Sequence, residues 1–122
     1  MQTELDIVAK RLAELGHPTR LGIFRLLVQA GNTGLAVGDI QQRLAIPAST
    51  LSHHLARLMQ ADLITQQRDK NTLYCLPCFA VLQETLRFMM QECCQGVERG
   101  KAFSRGGTVA VPPVETQALN RA

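Results

Sequence analysis

The chain has 122 residues, 46% of them hydrophobic and 19% charged, with a formal net charge of +3. That length suits one domain of ordinary size, and the small positive charge permits nucleic-acid binding without demanding it. No apolar run approaches the roughly 20 residues that a membrane-crossing helix needs, and the opening MQTELDIVAKRL carries charges every few residues, unlike a signal peptide. The expectation is therefore a cytoplasmic protein with no membrane partner. In a reducing compartment the four cysteines, Cys75, Cys78, Cys93 and Cys94, are not expected to form structural disulfides.

In chain order, Leu5, Val8, Leu12 and Leu15 recur at helical spacing between Glu4 and Leu15 and predict a first amphipathic helix with those residues on one face and charges on the other. Gly16 stops it. Pro18 suits the first turn of a second helix, since its missing N–H would be unpaired there anyway. That helix runs through Leu21, Phe24, Leu27 and Val28 to Gly31. A Gly/Asn-rich connection over residues 31–35 leads to a short third helix with Ile40 and Leu44 spaced for burial, ended by Ile46-Pro47.

A fourth helix follows from Ala48 to Gln60, with Leu51, Leu55 and Leu58 on one face. Ser49 lies where a hydroxyl can cap free N–H groups. The run LITQQR is strand-like, Asp69-Lys70-Asn71 makes a turn, and TLYCL is again strand-like, so the two read as a hairpin. A last helix is expected from Phe79 to Val97, with Phe79, Leu82, Leu86, Met89, Cys93 and Val97 as a packing seam against the domain or a second copy. The tail KAFSRGGTVAVPPVETQALNRA has no period and reads as mobile. The expected organisation is one domain over residues 1–98 and a tail over 99–122. The fold is mainly α with a small β-hairpin, in the order ααααββα, which describes a winged helix-turn-helix.

With ELGHPTRLGIFRLL, the block DIQQRLAIPASTLSHHLARLMQADLI and the wing QQRDKNTLYCL in this order, the sequence resembles the ArsR/SmtB family of small winged-helix repressors over about residues 3–97. The resemblance implies a homodimer joined through its first and last helices, which binds double-stranded operator DNA with its fourth helix. It also implies that a thiol-seeking or metallic effector lowers operator affinity.

The residues support the same face independently. A major groove about 12 Å wide admits one helix, and short hydroxyl side chains let its backbone approach closely. Ser49, Thr50, Ser52, His53 and Arg57 fit that requirement, opposite the leucines; the competing reading is an ordinary solvated face. His54 reads equally as a packing residue. Arg68 and Lys70 of the wing are expected to position the protein on phosphates or in the minor groove rather than to specify sequence. A merely solvated turn is the alternative.

For the cysteines, the familiar arsenic-family pair at the start of the third helix is absent, since that stretch reads GLAVGDI. All three histidines precede residue 55, which argues against the zinc site of the last helix. Cys75, Cys78, Cys93 and Cys94 are instead the candidate ligands, thiolates being soft donors. The resemblance implies trivalent arsenic, As(III) or methylated As(III), or Sb(III), as the effector. A monomethylated arsenical takes two thiolates, for which the adjacent Cys93-Cys94 pair is enough, whereas the inorganic ions take three. On one continuous helix, Cys78 and Cys93 would stand about 22 Å apart. A shared site therefore needs Cys75 and Cys78 of one copy to meet Cys93 and Cys94 of another. Three readings compete: burial of cysteine as a small hydrophobe, a thiol-redox switch on the same residues, and a zinc site. A winged-helix protein-interaction module without DNA affinity is the alternative of a different class. No acid–base–nucleophile set suggests an enzyme, and Cys75-Leu-Pro-Cys78 lacks the βαβ setting of a thioredoxin motif.

Overall fold

A computed structural model describes residues 2–99. The expected mobile tail over 99–122 lies, but for its first residue, outside the described residues. Five α-helices and three short strands follow one another as α1 (Glu4–Leu15), α2 (Pro18–Ala30), β1 (Leu35–Ala36), α3 (Val37–Leu44), α4 (Ala48–Gln60), β2 (Ile64–Asp69), β3 (Thr72–Pro77) and α5 (Phe79–Met90). This is the winged helix-turn-helix that the sequence predicts. A compact unit extends to Gln91, and the described residues from Glu92 to Arg99 belong to a second unit.

Local chemistry sets the helix ends. The Thr3 hydroxyl accepts from the Asp6 amide while the Asp6 carboxylate accepts from the Thr3 amide, a reciprocal cap that starts α1. Pro18 opens α2, and His17 caps it, its Nδ1 accepting from the Thr19 amide at 3.1 Å. Ala45 leaves α3 in the left-handed conformation, and Pro47 starts α4 without any side-chain cap. Ser49 is thus not the capping residue; its hydroxyl stays exposed.

The wing is the antiparallel hairpin β2–β3, in register from Ile64 opposite Pro77 to Asp69 opposite Thr72. Lys70 takes a positive φ of 58° in the two-residue turn, which matches the twist of tight hairpins. The strand β1 adds to the far edge of β3, giving the order β1-β3-β2, where the sequence suggests only a connection. Two residues are too few to show an alternation. Gly34 is required just before it, since at φ 70° a Cβ would lie 2.6 Å from the Cys75 carbonyl oxygen.

The core gathers Ile23, Phe24 and Leu27 of α2, Ile40 of α3, Leu51, Leu55 and Leu58 of α4, and Leu63, Ile64 and Cys75 from the wing. The expected division of α1, apolar residues on one side and charges on the other, needs correction: the buried residues are Val8, Arg11 and Glu14, while Leu5 and Leu12 are exposed. In α2 Ile23, Phe24 and Leu27 are buried, and Leu21 is exposed.

The last helix also ends earlier than expected, at Met90 rather than Val97. Gln91 turns to an extended ψ of 136°, and Glu92 and Cys94 take positive φ. The seam it was to form is exposed at Leu86 and Met89, and Cys93 and Val97 lie in the open as well. A short helix draws most of its stability from a packed face, and these positions have none among the described residues. Because the helix stops, the 22 Å separation along one helix does not apply.

Candidate nucleic-acid interface

α4 divides sharply. Leu51, Leu55 and Leu58 are 0–3% exposed, while Ser49, Thr50, Ser52, His53 and Arg57 all face outward. Arg68 and Lys70 are exposed at the tip of the wing. The outward side thus offers three hydroxyls, an imidazole and a guanidinium on one helix, with two more cations on the hairpin.

Below this face lies a polar cluster that the sequence did not announce. The Glu14 carboxylate of α1 is buried and accepts from Arg57 at both oxygens, from Nε and Nη2 at 3.0 Å each. Arg20 of α2 donates from Nε to the Glu14 carbonyl at 2.7 Å and stands 3.5 Å from its carboxylate. The other end of Arg20 meets His54 Nδ1 at 3.2 Å. His54 is buried, with the His17 ring 4.7 Å and the His53 ring 5.6 Å away. The Arg57 fork holds the Glu14 carboxyl below its usual range. Burial, reinforced by His17, Arg20 and His53, pushes the His54 imidazole below its own. His54 is therefore a packing residue, kept neutral, and Arg57 is tied on one edge to α1. The only sequence signal for Glu14 was a charge at the inward spacing from Val8 and Arg11, which an apolar-stripe reading discards.

The cysteines fall into three environments. Cys75 is 0% exposed in the core, accepts from Gln66 Nε2 at 3.5 Å, and has its thiol pKa raised by burial. This departs from the expectation of an accessible ligand. Cys78 is half-buried, and burial with the nearby Asp62 charge raises its thiol pKa too. Cys93 and Cys94 are exposed, their sulfurs 3.1 Å apart and hydrogen-bonded, which holds the Cys93 thiol above its usual range. Two sulfurs so close can both reach a single soft atom. Among the described residues no group of three or more His, Cys, Asp or Glu is placed to hold a metal ion, and no helix is long and apolar enough to cross a membrane.

Comparison with known proteins agrees with this geometry. A family model described as "Helix-turn-helix domain" matches residues 15–67. The HTH-type transcriptional regulator YgaV of Escherichia coli (strain K12) is 35% identical over 69 residues, covering 57% of this chain and 68% of that protein. An ArsR-like transcriptional regulator from Rhodococcus sp. RHA1 superposes with a TM-score of 0.61 at 22% identity, over 68% of this chain and 76% of its own. The homodimeric winged helix-turn-helix DNA-binding domain Mb0332 from Mycobacterium bovis, described as a possible ArsR-family regulator, gives 0.59 at 24% identity. That match covers 73% of this chain and 85% of the other.

Proposed function

The chain belongs to the ArsR family of winged helix-turn-helix transcriptional regulators, and from that premise we propose that it is a cytoplasmic, homodimeric repressor released from its operator by a trivalent arsenical. Its relatives are transcriptional regulators rather than enzymes. The observation that carries the DNA-binding reading is the split of α4, with its leucines in the core and Ser49, Thr50, Ser52 and His53 outward. In that reading these four residues and Arg57 meet the major groove or its flanking phosphates, and Arg68 and Lys70 hold the wing on the backbone.

Dimerisation is supported by the apolar surface that a single chain leaves bare. Leu5 and Leu12 of α1 and Leu86, Met89 and Met90 of α5 are 41–64% exposed. Leu21, itself exposed, borders an open apolar groove of about 310 Å³ that Leu15, Phe24, Val28 and Leu82 also line. A second copy, with the same helices, supplies a matching face.

The effector reading rests on the Cys93–Cys94 pair. Two neighbouring thiolates satisfy a monomethylated arsenical; inorganic As(III) or Sb(III) needs a third. Cys75, sealed in the core, does not serve this role, so Cys75→Ser is expected to respond as the wild type does. The test is a gel shift on the DNA upstream of the protein's own reading frame, with and without As(III) or methylated As(III). Wild-type protein should bind and be released, whereas Cys93→Ser should bind and stay bound. Equal release of the mutant removes the pair from the effector site. Release by peroxide or polysulfide instead of arsenicals would establish the redox switch. A folded protein that ignores this DNA at low ionic strength would leave the protein-interaction module standing.

A further inference from the structure

α1 lies outside the face assigned to DNA, yet one of its side chains reaches that face from behind. Glu14 is 7% exposed at its side chain, and a carboxylate taken from water needs charged, hydrogen-bonded partners. It finds them in Arg57, through both oxygens at 3.0 Å. The paired fork occupies Nε and Nη2 and fixes the guanidinium plane, which a single hydrogen bond would leave free to turn. Nη1 makes no hydrogen bond among the described residues, and the side chain is still 46% exposed. Arg57 follows His53 by four residues, so the two share a side of α4.

Arg20 secures the arrangement from α2. It grips Glu14 at the carbonyl and His54 at Nδ1, so α4 is held from beneath at both residue 54 and residue 57. Because Arg57 also lowers the Glu14 pKa, the carboxylate stays charged at neutral pH, and the clamp stays closed.

We propose that Glu14 is a positioning residue for DNA binding: it presents the remaining Nη1 edge of Arg57 to a backbone phosphate and holds the recognition helix at its working angle. This rests on the assignment of α4 to DNA. An arginine whose rotamer is already fixed loses less freedom when it meets a phosphate. A residue on a helix remote from the duplex thereby contributes to operator affinity. Were Glu14 a tie between α1 and α4 and nothing more, its loss would lower stability and, with one acidic charge removed, leave the salt slope unchanged or steeper.

The salt dependence of binding separates the two roles. Each phosphate contact contributes about 0.9 to the slope of log K against log salt. In the full-length protein, Glu14→Gln should weaken operator binding roughly tenfold, about 1.4 kcal/mol, and reduce that slope by close to 0.9 per subunit. Arg57→Lys should do the same, because a lone ammonium on a flexible stem lacks the planar fork that Glu14 fixes in one orientation toward a phosphate. If Glu14→Gln proves unstable, Arg57→Lys carries the test alone. The double variant should bind no worse than Arg57→Lys. Wild-type slope and affinity in either folded single variant, or additive losses in the double variant, would overturn the proposal. Failure of wild-type protein to bind would instead sink the DNA-binding assignment itself.

Discussion

The helices α1 and α4 carry apolar residues at similar helical spacing and use them in opposite ways. In α4 the stripe faces inward, with Leu51, Leu55 and Leu58 closed off from solvent. In α1 Leu5 and Leu12 face out, and the side turned toward the domain presents Val8, Arg11 and Glu14. Arg11 reaches Glu84 and Thr85 of α5, each at 3.2 Å, and Glu14 reaches Arg57. Helical periodicity therefore shows which residues avoid water, not which surface shields them. In α4 the shield is the chain's own core; for α1 the proposed shield is a second copy.

The largest effect should come from the inward stripe. Leu58 is 0% exposed, and truncating such a leucine removes transfer energy and leaves a cavity. Leu58→Ala should cost about 3 kcal/mol of folding stability, seen as a lower urea midpoint with an unchanged slope. A loss well under 1 kcal/mol would mean that α4 is loosely seated.

The outward stripe should behave differently. Leu12 is 41% exposed, so Leu12→Glu should leave the fold of one chain intact while opposing its pairing. Sedimentation analysis should register a rise of roughly tenfold in the dimer dissociation constant, about 1.4 kcal/mol, with far-UV circular dichroism unchanged. If the mutant unfolds while still dimeric, the stripe belongs to the interior of a single chain and the contrast with α4 disappears.

The same contrast explains what was legible in the sequence. The element order and the hairpin could be read because their signals are local: Pro18 at a helix start, a turn of Asp69-Lys70-Asn71, and a stripe whose partners lie in the same chain. The leucines and exposed hydroxyls of α4 were placed correctly for that reason. The extent of α5 was not legible, since the stripe through Cys93 and Val97 has nothing to rest on among the described residues. The Glu14–Arg57 clamp was hidden for another reason: its members are 43 residues apart, Glu14 reads alone as an ordinary surface charge, and Arg57 reads as a residue turned only toward DNA. Cys75 looked like a ligand because it stands in a Cys-x-x-Cys spacing. Its inward register on β3 instead seals it in the core, a burial that spacing alone does not reveal.

The smallest effect lies where the two helices meet. His54 is buried, and its imidazole is pushed below the ordinary value of 6.5 by burial first, then by the charges of His17, Arg20 and His53. Its Nδ1 faces a donor on Arg20, which favours the neutral ring. A group whose folded pKa is depressed contributes stability that is complete above its unfolded pKa and lost as pH falls through the folded one. Acidification from about pH 7.5 through this range should thus lower the thermal midpoint, and His54→Gln should lose less over the same interval because it cannot take up the proton. Glu14 acts in a separate window. Its pKa is lowered from 4.5, so its contribution is complete above that value and fails only in stronger acid. Parallel profiles for wild type and His54→Gln between about pH 7.5 and 5.5 would show that protonation of the ring has no bearing on stability, and that the pH dependence of the polar contact between α1 and α4 comes from the Glu14–Arg57 fork.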